Sequence, residues 1–124
     1  MLYAVLCYTS EDVVSSWSKE QDEEVIRNLI AIQEKYAKAG KLGPVARLLP
    51  TTAATTLRKV KDEALVVDGP FAETKEQLLG FYTVECDDLE EAIDFARELS
   101  DANPSGGCYE IRPVGLLNPI APTI

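Results

Sequence analysis

The sequence predicts an α+β fold of the ferredoxin-like, split βαβ kind, in which an antiparallel sheet carries two helices on one face and a small inserted hairpin. Three observations predict it. Two segments repeat apolar residues at helical spacing, and each opens with a capping sequence. Each of these segments lies between apolar runs too short for typical helices. Between the two βαβ halves sit two short apolar or alternating pieces separated by Lys61-Asp62-Glu63, which reads as a hairpin.

The elements follow in order. Leu2 to Tyr8 is a continuous apolar run, which predicts a first strand buried on both faces. Thr9 through Trp17 reads as a loop. Ser18-Lys19-Glu20-Gln21 is a capping box, and Val25, Ile26, Leu29, Ile30, Gln33, Tyr36 and Ala37 keep a 3.6-residue spacing up to a stop at Gly40. Leu42 to Leu49 is a second strand, irregular around Gly43-Pro44. Thr55 to Val60 and Ala64 to Val67 form the hairpin, and Leu78 to Glu85 is a strand rich in aromatic and branched residues. Asp87-Asp88-Leu89-Glu90 predicts a second capping box with Asp87 as the cap, ahead of a buried stripe of Leu89, Ala92, Ile93, Ala96 and Leu99. After the loop Asn103 to Gly107, Cys108 to Pro113 is the last strand. Residues 114–124 form a tail that Pro119 and Pro122 keep extended.

Length and composition bound the function. A chain of 124 residues has the usual size of one domain, so residues 1–124 are expected to form one domain without a linker. With 46% apolar and 27% charged residues it is expected to be globular, not disordered. No run approaches the length of a membrane span, and the apolar N-terminus lacks the basic flank of a signal peptide. Cys7, Cys86 and Cys108 are odd in number and widely spaced, which predicts reduced thiols in a cytoplasm. There is no histidine, so zinc binding and histidine acid–base chemistry are not expected, and no cofactor is expected either. A net charge of −9 argues against nucleic acid as a partner. Eight acids and one base, Arg97, fall between Glu85 and Asp101, as on a solvated helix face.

The densest polar chemistry follows the hairpin. Asp68-Gly69 signals a turn, Pro70 fixes its own backbone, and Phe71 is expected to anchor the loop on the core. Glu73, Thr74, Lys75, Glu76 and Gln77 then crowd a connection between strands, with Thr74 a candidate cap for a short helical turn able to bind an anion. The run Val66-Val67-Asp68-Gly69-Pro70-Phe71-Ala72-Glu73-Thr74-Lys75-Glu76-Gln77-Leu78-Leu79-Gly80-Phe81-Tyr82, with Asp87 to Ala92 and Glu110 to Val114, resembles the YCII-related family and its DGPF subgroup. The resemblance implies a ferredoxin-like fold dimerised into an α/β barrel. The apolar tail residues Leu116, Leu117, Ile120 and Ile124 also call for a homodimer or for a tail folded over its own sheet. Some relatives in the family have been proposed to use a His-Asp pair, which a chain without histidine cannot carry.

Two function classes remain open. In the first, the dimer binds a small anionic organic molecule in a cleft near residues 68–77, with Asp68 as acid or base and Glu73, Lys75, Arg112, Tyr8 and Tyr82 as ligand-binding residues. In the second, the dimer is a non-catalytic binding or regulatory module, and the same polar cluster is structural: Asp68 bonds turn amides and Glu73 pairs with Lys75 or Arg112. Cys7, without a basic neighbour, reads as a small buried hydrophobe, and Trp17 reads as a lid or a hydrophobic staple.

Overall fold

The structure, a computed structural model, describes residues 1–117. Its elements are β1 (Leu2–Thr9), α1 (Glu11–Ser15), α2 (Lys19–Lys38), β2 (Leu42–Arg47), β3 (Thr55–Val60), β4 (Glu63–Asp68), β5 (Gln77–Glu85), α3 (Leu89–Ala102) and β6 (Cys108–Pro113). Among the described residues four strands form an antiparallel sheet in the order β2-β5-β1-β6, and β3 and β4 form a separate two-stranded pair. This is the ferredoxin-like arrangement that the order of elements predicts. No helix among the described residues is long and apolar enough to cross a membrane.

Register decides which face each strand residue occupies. Tyr3, Val5 and Cys7 stand opposite Val84, Tyr82 and Gly80 on one side and Pro113, Ile111 and Tyr109 on the other, so all share a face. That face meets the helices, and Val5, Val84, Phe95 and Ala92 are fully buried there. Phe95 lies edge-on to both Tyr36 of α2 and Tyr82 of β5, joining both helices to the sheet through one ring. On the opposite face, Leu2, Ala4 and Leu6 are half-buried, and no helix among the described residues covers them. The first strand is therefore fully buried on one face only.

The first helix start behaves as the sequence predicts. The Ser18 hydroxyl accepts from the Gln21 amide while the Gln21 side chain accepts from the Ser18 amide. At the other end Gly40 takes φ 71°, the left-handed conformation that closes a helix. The second helix start is displaced by one residue from the expected position. Asp88, not Asp87, caps Glu91, and Glu91, not Glu90, reaches back to the Asp87 amide. Of the expected stripe Ala92, Ala96 and Leu99 are buried, Phe95 joins them, and Leu89 in the first turn is 49% exposed. The expected loop from Thr9 to Trp17 contains α1, capped by the Ser10 hydroxyl. Ile120 and Ile124 of the expected tail lie outside the described residues.

Candidate functional site

A cavity of about 290 Å³ lies between α2 and the helix-covered face of the sheet. Its floor opens at Gly80, which sits between Cys7 and Arg47 in the cross-strand register and contributes no side chain there. Just before it, between Cys7 and Tyr8, the β1–β5 register shifts, a local irregularity that leaves Leu79 without a partner in β1, while its carbonyl accepts from the Leu48 amide at 2.8 Å. The helical stripe supplies the apolar roof, with Val25, Ile26 and Leu29 turned inward. Val14 and Trp17 close one side, so Trp17 contributes to the wall of a cavity.

Polar groups are few and placed around this apolar space. Tyr82 is buried, and burial pushes its hydroxyl pKa up, while Gln33 and Arg47 nearby pull it down without reversing the shift. The Tyr109 hydroxyl donates to the Leu99 carbonyl at 3.4 Å, and burial raises its pKa as well. Burial pushes the Cys7 thiol up to about 12, which agrees with its reading as a small hydrophobe. Asp22 and Arg47 add one charge of each sign to the lining. Arg47 is exposed, and among the described residues it takes part in no ion pair. Such a space can take an apolar body and offer a guanidinium to an anionic end.

The residues singled out in the sequence are distributed over three places. Tyr82 is in the cavity, and Tyr8 borders it. Tyr8 and Lys75 also meet in a shallow groove at the same end of the sheet, together with Glu110 and Cys108. There the Tyr8 hydroxyl donates to Glu110 at 3.3 Å, and its pKa is raised, by desolvation first and by Glu110 second. Arg112 stands opposite Ala4 on the uncovered face of the sheet. Asp68 closes the hairpin opposite Thr55 and is exposed, as is Glu73. Among the described residues, none of Asp68, Glu73, Lys75 and Arg112 forms an ion pair.

Two local expectations for this stretch are corrected. Phe71 does not anchor the loop on the core: it is 78% exposed, and its carbonyl accepts from Arg58 at 3.2 Å. Thr74 caps no helix, because its hydroxyl donates instead to the Glu76 carbonyl and the Gln77 side chain donates to the Thr74 carbonyl. These local bonds hold an irregular turn, so there is no row of free helical amides. Gln33 and Arg47 are the site residues that sequence reasoning passed over. Each carried a signal: Gln33 interrupts an otherwise apolar helical stripe, and Arg47 stands in an apolar run with Val45, Ala46, Leu48 and Leu49. Among the described residues no group of three or more Cys, Asp or Glu side chains is arranged to hold a metal ion.

The model of the YCII-related domain matches residues 1–118. A protein of Rhizobium meliloti (strain 1021), named Uncharacterized protein R00369, is 67% identical over 119 residues, 96% of each chain. With a family match across nearly its whole length and a relative this similar, the chain belongs to the YCII-related family.

Proposed function

We propose that this chain is a homodimeric binding module for a small organic acid. The acid's apolar body would occupy the cavity under α2, and its anionic end would lie beside Arg47. The observation that carries the reading is the cavity of about 290 Å³ itself, apolar on most sides and with Arg47 in its lining. Lys75, beside Tyr8 in the adjoining groove, is a second cation for a longer or doubly charged ligand. The homodimer rests on the uncovered sheet face and on the exposed Leu116 and Leu117. Three free thiols support a cytoplasmic setting, and the Asp68-Gly69-Pro70-Phe71 run supports the DGPF subgroup.

A catalytic form of the reading gives Asp68 a proton to move. Within one copy the Asp68 carboxylate lies at an exposed hairpin end and outside the cavity lining, so binding is the reading the geometry supports best.

The test is a thermal-shift screen of aryl and branched-chain carboxylates, each paired with its neutral amide. A ligand that binds only the folded chain raises its Tm. Acids are expected to raise Tm, amides to do so weakly, and Arg47→Met to remove the difference. Equal shifts for acid and amide, or no shift in any pair, would refute the reading. If a ligand is consumed by the parent chain but not by Asp68→Asn, the catalytic form replaces the binding one.

A further inference from the structure

We infer that the β3–β4 hairpin, with Phe71 at its base, is an arm that docks on the uncovered sheet face of a second copy of this chain. The inference rests on the homodimer proposed above and assigns it a contact. The hairpin has apolar side chains on both faces, and the described residues cover neither. Leu57 and Val66 share one face at 64% and 68% exposure; Val60, Leu65 and Val67 share the other at 47%, 51% and 53%. Phe71 adds an aromatic ring at 78% exposure. Either face, with the Phe71 ring beside it, supplies part of the roughly 800 Å² that a stable interface takes from each partner, and the sheet face supplies the rest. A two-stranded ribbon without cover is marginal in water, and its open edges invite pairing.

The arm is nevertheless held in place at its base. The Glu11 carboxylate accepts from both the amide and the hydroxyl of Thr51 at 2.8 Å each. Gly69 donates its amide to the Ala54 carbonyl at 2.7 Å, and the Thr56 hydroxyl donates to the Gly69 carbonyl at 2.8 Å. Arg58 reaches the Phe71 carbonyl, so the Asp68-Gly69-Pro70-Phe71 run ties the two strands to the aromatic ring beside them. A segment anchored this way and exposed on every β4 residue presents a fixed shape to a partner.

Charge selects a second copy as that partner. Residues 55–68 contain Arg58, Lys59 and Lys61 against Asp62, Glu63 and Asp68, a net charge of zero. All of the chain's net charge of −9 therefore lies outside the arm. Two such bodies repel, and the neutral arm is the part of one that approaches the other most easily. The uncovered face of the sheet complements it. Leu2, Leu6 and Phe81 share that face with Glu85, Glu110 and Arg112; Glu85 is paired with the N-terminal amine and Glu110 accepts from Tyr8, so the face is an apolar strip with charges of both signs, as the arm is. Phe71 has the character of an interface anchor, a large ring presented at the end of an apolar strip.

Two measurements test the arm. In sedimentation equilibrium, the double variant Leu57→Ser/Val66→Ser and the separate variant Phe71→Ala are each expected to weaken dimerisation by at least about tenfold. Far-UV circular dichroism should be unchanged, because these side chains lie outside the core. Variants that dimerise within about twofold of the parent would overturn the arm and leave the homodimer standing. A parent chain that stays monomeric through the high micromolar range would overturn both, and would favour the tail as the cover of the sheet. Carbodiimide cross-linking of a mixture of ¹⁴N- and ¹⁵N-labelled parent chain needs no variant. Links between copies are expected to join Lys59 or Lys61 to Glu85 or Glu110; intermolecular links that bypass both lysines would overturn the arm.

Discussion

In β5, Tyr82 and Val84 are buried under two helices; in β4, Leu65, Val66 and Val67 have the same apolar character and are each more than half exposed. Both strands lie in antiparallel ladders, and both read as strands from their residues alone. The difference is in what lies over them. β5 is flanked by β1 and β2 and covered by α2 and α3, whereas β4 has one neighbouring strand and, among the described residues, every one of its positions is exposed. Backbone pairing accounts for the shape of both strands, and side-chain cover accounts for the stability of only one.

The largest test of this contrast is in the core. Phe95→Ala removes a fully buried ring that touches Tyr36 and Tyr82, and is expected to lower stability by about 3–5 kcal/mol in urea denaturation. A loss below 1 kcal/mol would mean that the helices are not held to the sheet through this ring. Next comes Gly80→Ala. A Cβ there would collide with the Ala46 carbonyl, so β2 must move from β5, with a loss of roughly 1–3 kcal/mol and a smaller cavity. A Tm equal to that of the parent would show that β2 yields freely. Ser18→Ala opens the capping box of α2 and should lower stability by about 1 kcal/mol, read from the same denaturation curves.

The contact between the two helices carries a pH signature. Burial pushes the Glu98 carboxyl up, but hydrogen bonds from Lys35 and Tyr36 outweigh it and leave the pKa lowered. A lowered folded value adds stability above the ordinary carboxylate range, and this is lost as pH falls through the folded value. Tyr36 has the opposite sign: burial and Glu98 raise it, so its contribution holds below the ordinary phenol value and fades as pH rises through the raised one. Tm against pH should flatten on the acid side in Glu98→Gln; an unchanged profile would remove Glu98 from the account. The smallest expected effect is in the arm. Val66→Thr, at dilutions where copies are separate, should change stability by no more than about 0.5 kcal/mol.

Much of the fold was legible from the residues because its signals are local. Ser18 and Gln21 specify a helix start within four residues, and the apolar run from Leu2 to Tyr8 marks a strand wherever it lies in space. The start of α3 reads one residue early because Asp87 and Asp88 are both good caps, and only the folded bond from the Glu91 amide to the Asp88 carboxylate distinguishes them. The cavity was not legible for a different reason. It forms where the glycine at position 80 meets Cys7 from β1 and Arg47 from β2, three residues far apart along the chain that register alone brings together. Phe71 was misassigned because an aromatic ring after Gly-Pro reads equally well as a core anchor or as a contact offered outward.

The raised thiol of Cys7 has a practical consequence. Alkylating reagents attack thiolates, and a group pushed up to about 12 holds almost none near neutral pH, whereas Cys108 lies exposed. Cys108 should therefore label at once and Cys7, half-buried in the cavity wall, far more slowly, faster whenever α2 lifts from the sheet. The ratio of the two labelling rates gives the protein a built-in clock for the opening of its own interior, readable by mass spectrometry without any added probe.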